Sequence, residues 1–216
     1  MNFETARTQM LGQQIRAWEV LNERVLNVLR NTPRERFVPA GYEDLAFADT
    51  EVPIGHGQSM MEPKVEGRLL QALNLESADD VLEIGTGSGY LSSCLAKLGA
   101  NVTSVDIYPD FTESAEERLR AQRISNVELC VVDALKMTYS NQFDVIVVTA
   151  SVPDLTDHFI EMLRPDGRMF IVVGRAPVME ARLITRFAGG DWTDDCLFET
   201  QLTPMVNIDS SEPFEL

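Results

Sequence analysis

The stretch Val81-Leu82-Glu83-Ile84-Gly85-Thr86-Gly87-Ser88-Gly89-Tyr90 restricts the fold of this chain more than any other. A short apolar run breaks into glycines at alternate positions and then resumes with helical spacing, so it reads as strand, turn and helix. Glycines at 85, 87 and 89 open φ values closed to other residues and let a ligand approach the backbone without meeting a Cβ. The helix behind them aims free N–H groups at that ligand. The spacing is Glu-x-Gly-x-Gly-x-Gly and not G-x-G-x-x-G, so the pyrophosphate signature of dinucleotide enzymes is missing. Glu83, at the strand end, would repel a diphosphate and suits a cationic group. Together Glu83, Gly85, Thr86, Gly87 and Gly89 predict a nucleoside site for a positively charged cofactor. S-adenosyl-L-methionine, with its sulfonium and its ammonium, is the candidate; an ordinary tight βα turn is the alternative.

From Asp80 onward, apolar strands alternate with helical patterns, as in parallel βαβ units. Strands are expected at Val81–Ile84, Val102–Val105, Val127–Val132, Phe143–Thr149 and Arg168–Val173, with helices over Tyr90–Leu98, Phe111–Gln122 and Asp154–Leu163. After Gly174 two strands, Arg182–Phe187 and Cys196–Leu202, follow each other across Gly189-Gly190-Asp191 with no helix between them. The expected fold is therefore α/β: a doubly wound, mostly parallel, Rossmann-like sheet of the class I methyltransferase kind, with N-terminal helices and a C-terminal antiparallel hairpin. Asp106 ends the second strand 21 residues past Gly85, near the ~20-residue offset at which a carboxylate accepts from ribose hydroxyls. With Ile107 beside it, Asp106 is predicted to hold the ribose; a helix N-cap role is the alternative, although Asp110 is available for that. Asp133 ends the third strand and is expected to accept from the exocyclic amine of adenine, with Ala134 and Leu135 along the ring, or else to be a turn residue. Thr149 closes the fourth strand at the sheet edge where ligands sit in such folds.

Upstream, residues 3–30 show helical spacing twice, the second time through Val20, Leu21, Val25, Leu26, Val28 and Leu29. Pro33 stops it, and residues 34–49 read as loop with a helical turn at most. Residues 52–63 carry two glycines, two prolines, His56 and Gln58, which predicts a shaped loop that holds substrate, a plain linker being the alternative. Lys64–Leu73 is helical again. At 216 residues the chain suits one domain, with residues 1–75 as N-terminal helices and substrate loop and 76–208 as cofactor-binding core. The final residues, Asp209–Leu216, are expected to fray.

An excess of 34 acidic over 18 basic residues gives a formal charge of −16, which opposes nucleic-acid phosphates and anionic lipid. Cys94, Cys130 and Cys196 are far apart and form no Cys/His cluster, so neither a metal site nor a disulfide framework is expected. Met1–Arg16 lacks an apolar signal core, and no run approaches the roughly 18 apolar residues of a membrane span. A cytoplasmic location is expected. Neither His56 nor His158 is required as a general base.

Several short segments stand out: Met10-Leu11, Gln14-Ile15, Pro33-Arg34-Glu35-Arg36-Phe37-Val38-Pro39, Pro53-Ile54-Gly55-His56-Gly57-Gln58, the glycine loop and Val148-Thr149-Ala150. With these, the chain from about Met10 to Val206 resembles the protein-L-isoaspartate O-methyltransferase family. The resemblance implies methyl transfer from S-adenosyl-L-methionine to the carboxylate of an isoaspartyl residue in a damaged protein or peptide. It also implies that Ile54, Gly55, His56, Gln58, Ser59 and Met61 face that substrate. The family reads Thr-Ile-Ser after Gly-Gln, and that serine is regarded as the active-site residue; this chain has Ser59-Met60-Met61 instead. Met61 cannot donate a hydrogen bond, which leaves Ser59 as the candidate catalytic hydroxyl. Lys64 likewise replaces an aromatic residue, and Asp133-Ala134-Leu135 a Gly-Asp-Gly pattern. Two other readings stay open: a methyltransferase for a different acceptor, served by an adaptable wall of methionines, or a cofactor-binding module without isoaspartyl activity.

Overall fold

The computed structural model describes residues 2–99 and 101–208, so the expectation for 209–216 lies outside the described residues. The helical spacing at the N-terminus forms α1 (Phe3–Met10), which runs on through a widened turn at Leu11–Ile15 and a tight one at Arg16–Trp18. α2 (Glu23–Asn31) is capped by the Asn22 side chain, which accepts from the Arg24 N–H at 2.9 Å, and it buries Val25, Leu26 and Leu29. Residues 34–49 contain two single 3₁₀ turns, Arg34–Arg36 and Glu43–Leu45.

Residues 52–60 differ from the expected loop. β1 (Val52–Gly55) and β2 (Gln58–Met60) pair antiparallel, Val52 with Met60 and Pro53 with Ser59. The ribbon has only two strands, so Pro53 can sit where no ladder bond is needed from it. α3 (Pro63–Leu73) starts on Pro63, whose fixed φ suits a first helical turn.

The alternating pattern then yields β3 (Asp80–Ile84), α4 (Tyr90–Leu98), β4 (Asn101–Asp106), α5 (Pro109–Ala121) and β5 (Val127–Val131). β6 (Phe143–Val152), α6 (Asp157–Ile160), β7 (Leu163–Arg175), β8 (Val178–Arg186) and β9 (Trp192–Glu199) complete the described chain. The sheet order is β5-β4-β3-β6-β7-β8-β9, parallel from β5 to β7 and antiparallel across β7-β8-β9. Each central strand divides its apolar residues by period two between opposite faces. Val81, Val145, Val147, Phe170 and Val172 join one cluster with Met10, Leu26, Leu69 and Leu95. Leu82, Ile146, Val148, Met169 and Ile171 join the other with Phe159 and Met162.

Several boundaries depart from expectation. The helix expected over Asp154–Leu163 shrinks to the four residues of α6, because Leu163 is taken into β7, paired with Phe143. β8 and β9 each start four residues earlier than expected, at Val178 and Trp192. β9 lies at the sheet edge with Thr193, Asp194 and Asp195 exposed, so no apolar alternation marks its start. Among the described residues no helix is long and apolar enough to cross a membrane.

Candidate active site

The chain leaves β3 toward β4 and leaves β6 toward β7, so connections diverge at the carboxyl ends of the neighbouring strands β3 and β6. Such a divergence opens a crevice above the sheet. The glycine loop sits there. Gly85, at φ 99°, lies so close to Thr149 that a Cβ would run into its hydroxyl, which donates to the carbonyls of Ile84 and Gly85 at 3.0 Å each. Gly89, at φ 81°, starts α4 directly against Ala115, whose Cβ a side chain at 89 would meet first.

Two carboxylates are built into this crevice in different ways. Asp106 spans the loop: it accepts from the Gly87 N–H at 2.9 Å through one oxygen and from the Tyr108 N–H at 3.0 Å through the other. Burial pushes its pKa up, with the Gly87, Tyr108 and Ile107 N–H groups opposing. Glu83 is 0% exposed. The hydroxyls of Ser92 and Ser104 donate to its Oε2, the Ser104 bond at 2.5 Å, and Ser104 is in turn 2.7 Å from the Thr86 hydroxyl. Its Oε1 has no hydrogen-bond partner among the described residues. Burial raises the Glu83 pKa to about 8 against the pull of both serines.

A cleft, partly open to solvent, fills the crevice. Its sheet side is lined by Glu83, Gly85, Thr86, Gly87, Asp106 and Ile107, continued by Asp133, Ala134 and Thr149. The facing wall is made by Ile54, Gln58 and Ser59 of the hairpin and by the adjoining Met61. Four of the residues singled out in the sequence are not part of the lining, Leu135 among them, which packs against the apolar cluster of Phe159 and Met162 instead of facing the cleft. Gly89 lies behind the loop as the helix start, and Gly55 and His56 belong to the hairpin tip. The imidazole of His56 turns away to Asp110, its Nε2 lying 3.1 and 2.9 Å from the two carboxylate oxygens. Asp110 thus serves His56, and α5 has no side-chain cap. Asp133 does reach the cleft, but as a turn residue too: it accepts from the Leu135 N–H at 3.1 Å and the Asn207 amide at 3.1 Å and pairs with Lys136. Burial would raise its pKa, but these bonds outweigh burial and lower it.

Sequence reasoning passed over Glu66 and gave Arg34 only as part of the Pro33–Pro39 segment, with no role at the cleft. Glu66 lines the cleft from α3, is 2% exposed, and pairs with Arg34, itself 1% exposed. Arg34 also donates to the Met61 carbonyl at 2.6 Å and lies over the Tyr90 ring at 4.6 Å, so it ties the connector to the hairpin side of the cleft. Burial pushes Glu66 up to about 7, Arg34 pulling it down. The signal was present: Glu66 falls between Val65 and Leu69 on the apolar stripe of α3, a position where an acid needs a partner. Tyr108 and Phe111 also line the cleft.

The sequence matches the protein-L-isoaspartate(D-aspartate) O-methyltransferase family over residues 5–208. The chain belongs to that family. Among its relatives, a protein-L-isoaspartate O-methyltransferase of Methanoculleus marisnigri is 39% identical over 169 residues, 78% of this chain and 77% of the relative. Another, from Koribacter versatilis, is 32% identical over 98% of this chain and 95% of its own length. The fold agrees with the crystal structure of a protein described as a Plasmodium falciparum protein-L-isoaspartate O-methyltransferase in complex with S-adenosyl-L-homocysteine. The TM-score is 0.80 at 20% identity, covering 95% of this chain and 98% of that one. The sheet of this chain is Rossmann-like and mostly parallel, with antiparallel strands at its C-terminal end.

Proposed function

We propose that the cleft binds S-adenosyl-L-methionine and that the protein transfers its methyl group to the carboxylate of isoaspartyl residues in damaged proteins or peptides. The observation that carries this reading is Oε1 of Glu83, a buried carboxylate oxygen in the lining of the cleft that has no partner among the described residues, where a cationic ligand supplies what the protein does not. The residues fit the cofactor. Gly85 keeps the backbone bare, Asp106 offers carboxylate oxygens to the ribose hydroxyls, Ile107 flanks it, and Ala134 lines the adenine end beside Asp133. Bound there, the cofactor supplies a methyl group on a sulfonium, a good leaving group.

An acceptor carboxylate is already ionised, so no residue need take a proton from it. The protein's work is then alignment and exclusion of water. The Ser59 hydroxyl, which donates to the Glu51 carboxylate in the free protein, turns to donate to the acceptor, while Met60 and Met61, 5% and 6% exposed, keep that wall dry. Met61 supports a second reading, an acceptor less polar than isoaspartate. The formal charge of −16 favours protein or peptide substrates over nucleic acid, in a cytoplasmic setting. The test is an assay of base-labile methyl ester on a synthetic isoaspartyl peptide beside its aspartyl twin. Labelling of the isoaspartyl peptide alone supports the first reading; cofactor binding with neither peptide labelled leaves the second.

A further inference from the structure

We propose that His56, Tyr108 and Asp110 form a clasp that holds the tip of the β1–β2 hairpin across the cleft, and that His56 is thereby a positioning residue for the acceptor wall. The proposal rests on the reading of the cleft as a methyl-transfer site.

The hairpin has a rooted end and an unsupported one. Val52, Met60 and Met61 are buried in the core, and Arg34 holds the Met61 carbonyl. Pro53, Gly55, His56 and Gly57 at the tip are exposed. What fastens the tip is a set of contacts with the start of α5. The His56 ring stacks on Tyr108 with centroids 4.1 Å apart and planes 8° from parallel, and meets Phe111 edge-on at 5.3 Å. Its Nε2 sits between both oxygens of Asp110.

The backbone fixes where the ring starts. His56 and Gly57, at φ 51° and 70°, are the two central residues of the tight turn between paired Gly55 and Gln58. The positive φ belongs to the hairpin itself, and the ring contacts fasten that turn to α5. The clasp also reaches the cofactor side. Tyr108 lines the cleft, and its N–H is held by Asp106, so one carboxylate organises both the glycine loop and the platform on which His56 rests. On the hairpin, Ile54 and Gln58 flank the clasped turn and line the cleft opposite. Releasing His56 would let Ile54, Gln58 and Ser59 swing away from the sheet side.

The experiment compares the full-length protein with His56→Ala, His56→Phe, which keeps the stack and loses the Asp110 bond, and Asp110→Asn. Hydrogen exchange at the amides of residues 55–58 is read without ligand, and release of S-adenosyl-L-homocysteine is followed after rapid dilution. His56→Ala is expected to speed exchange at the tip and to release S-adenosyl-L-homocysteine roughly three- to thirtyfold faster, the range that one exposed pair plus one aromatic stack supports. His56→Phe and Asp110→Asn should fall between it and the wild type. On an isoaspartyl peptide kcat should drop more than KM changes, with the melting temperature lowered only by the few degrees that such a loss implies; a merely structural residue would lower the melting temperature without that split between kcat and KM. Tip exchange in His56→Phe and Asp110→Asn equal to wild type overturns the clasp, whether or not His56→Ala folds. A wild type that binds no S-adenosyl-L-homocysteine overturns the reading of the cleft instead, and the exchange data then decide the clasp alone.

Discussion

The affinity for a cationic cofactor should depend steeply on pH, because Glu83 holds a proton in the free protein. Its pKa of about 8 leaves roughly a tenth of the molecules ionised at pH 7. A ligand that needs the carboxylate must first expel that proton, which costs about 1.4 kcal/mol for each pH unit below the pKa. Working below about pH 7.5 keeps the cofactor's own ammonium charged. Between pH 6 and 7.5 the dissociation constant should therefore fall roughly twentyfold. Calorimetric titration with S-adenosyl-L-methionine, repeated in two buffers of different ionisation heat, should show close to one proton released per ligand at pH 6.5. Glu83→Gln should remove most of this dependence and weaken binding at pH 7.5. Glu66, raised to about 7 beside Arg34, would retain a shallower slope in that variant. A wild-type dissociation constant that is flat from pH 6 to 7.5, with no buffer effect, would refute the reasoning.

The same groups act on folding. A carboxyl whose pKa is higher folded than unfolded keeps its proton in the fold, so its contribution is complete below about 4.5 and is lost as pH rises through about 8 for Glu83. Stability followed by urea denaturation should fall from pH 5 to 8, and Glu83→Gln should gain up to about 5 kcal/mol at pH 8 while changing little at pH 4.5. Gly85→Ala should abolish cofactor binding in a dialysis assay, since its Cβ meets Thr149 at a backbone φ of 99°. Arg34→Met should destabilise by about 3–5 kcal/mol by leaving Glu66 buried without its cation, and the double change with Glu66→Leu should recover much of the loss. Met61→Ser should raise kcat/KM on an isoaspartyl peptide roughly tenfold or more through one restored hydrogen bond to a charged group, while lowering the melting temperature because Met61 is 6% exposed.

Where sequence and structure agree, a local pattern carried the information. α4 coincides with its expected span because a glycine bounds it at either end, and β3 and β4 end at Ile84 and Asp106 as strand-terminal residues before turns. That Asp106 would line the crevice was legible because strand, turn and helix lengths in a βαβ unit leave it little choice of position. What pairing decides was not legible. Whether Val52–Met60 is loop or hairpin depends on Val52 meeting Met60, and whether Leu163 ends a helix or starts a strand depends on Phe143. His56 shows the same limit at the site: its loop position suggested substrate, but Tyr108 and Asp110, more than fifty residues away, claim its ring. Glu66 was the reverse case, marked by an acid on an apolar stripe whose partner Arg34 only the fold brings near.

The most direct measurement is a crystal structure of the protein grown with S-adenosyl-L-homocysteine. The account predicts the adenosyl group in the cleft above the glycine loop, its ribose hydroxyls on Asp106 and its ammonium turned toward Oε1 of Glu83. Density for the ligand anywhere else, or a ligand in the cleft that leaves both carboxylates without contact, would contradict it.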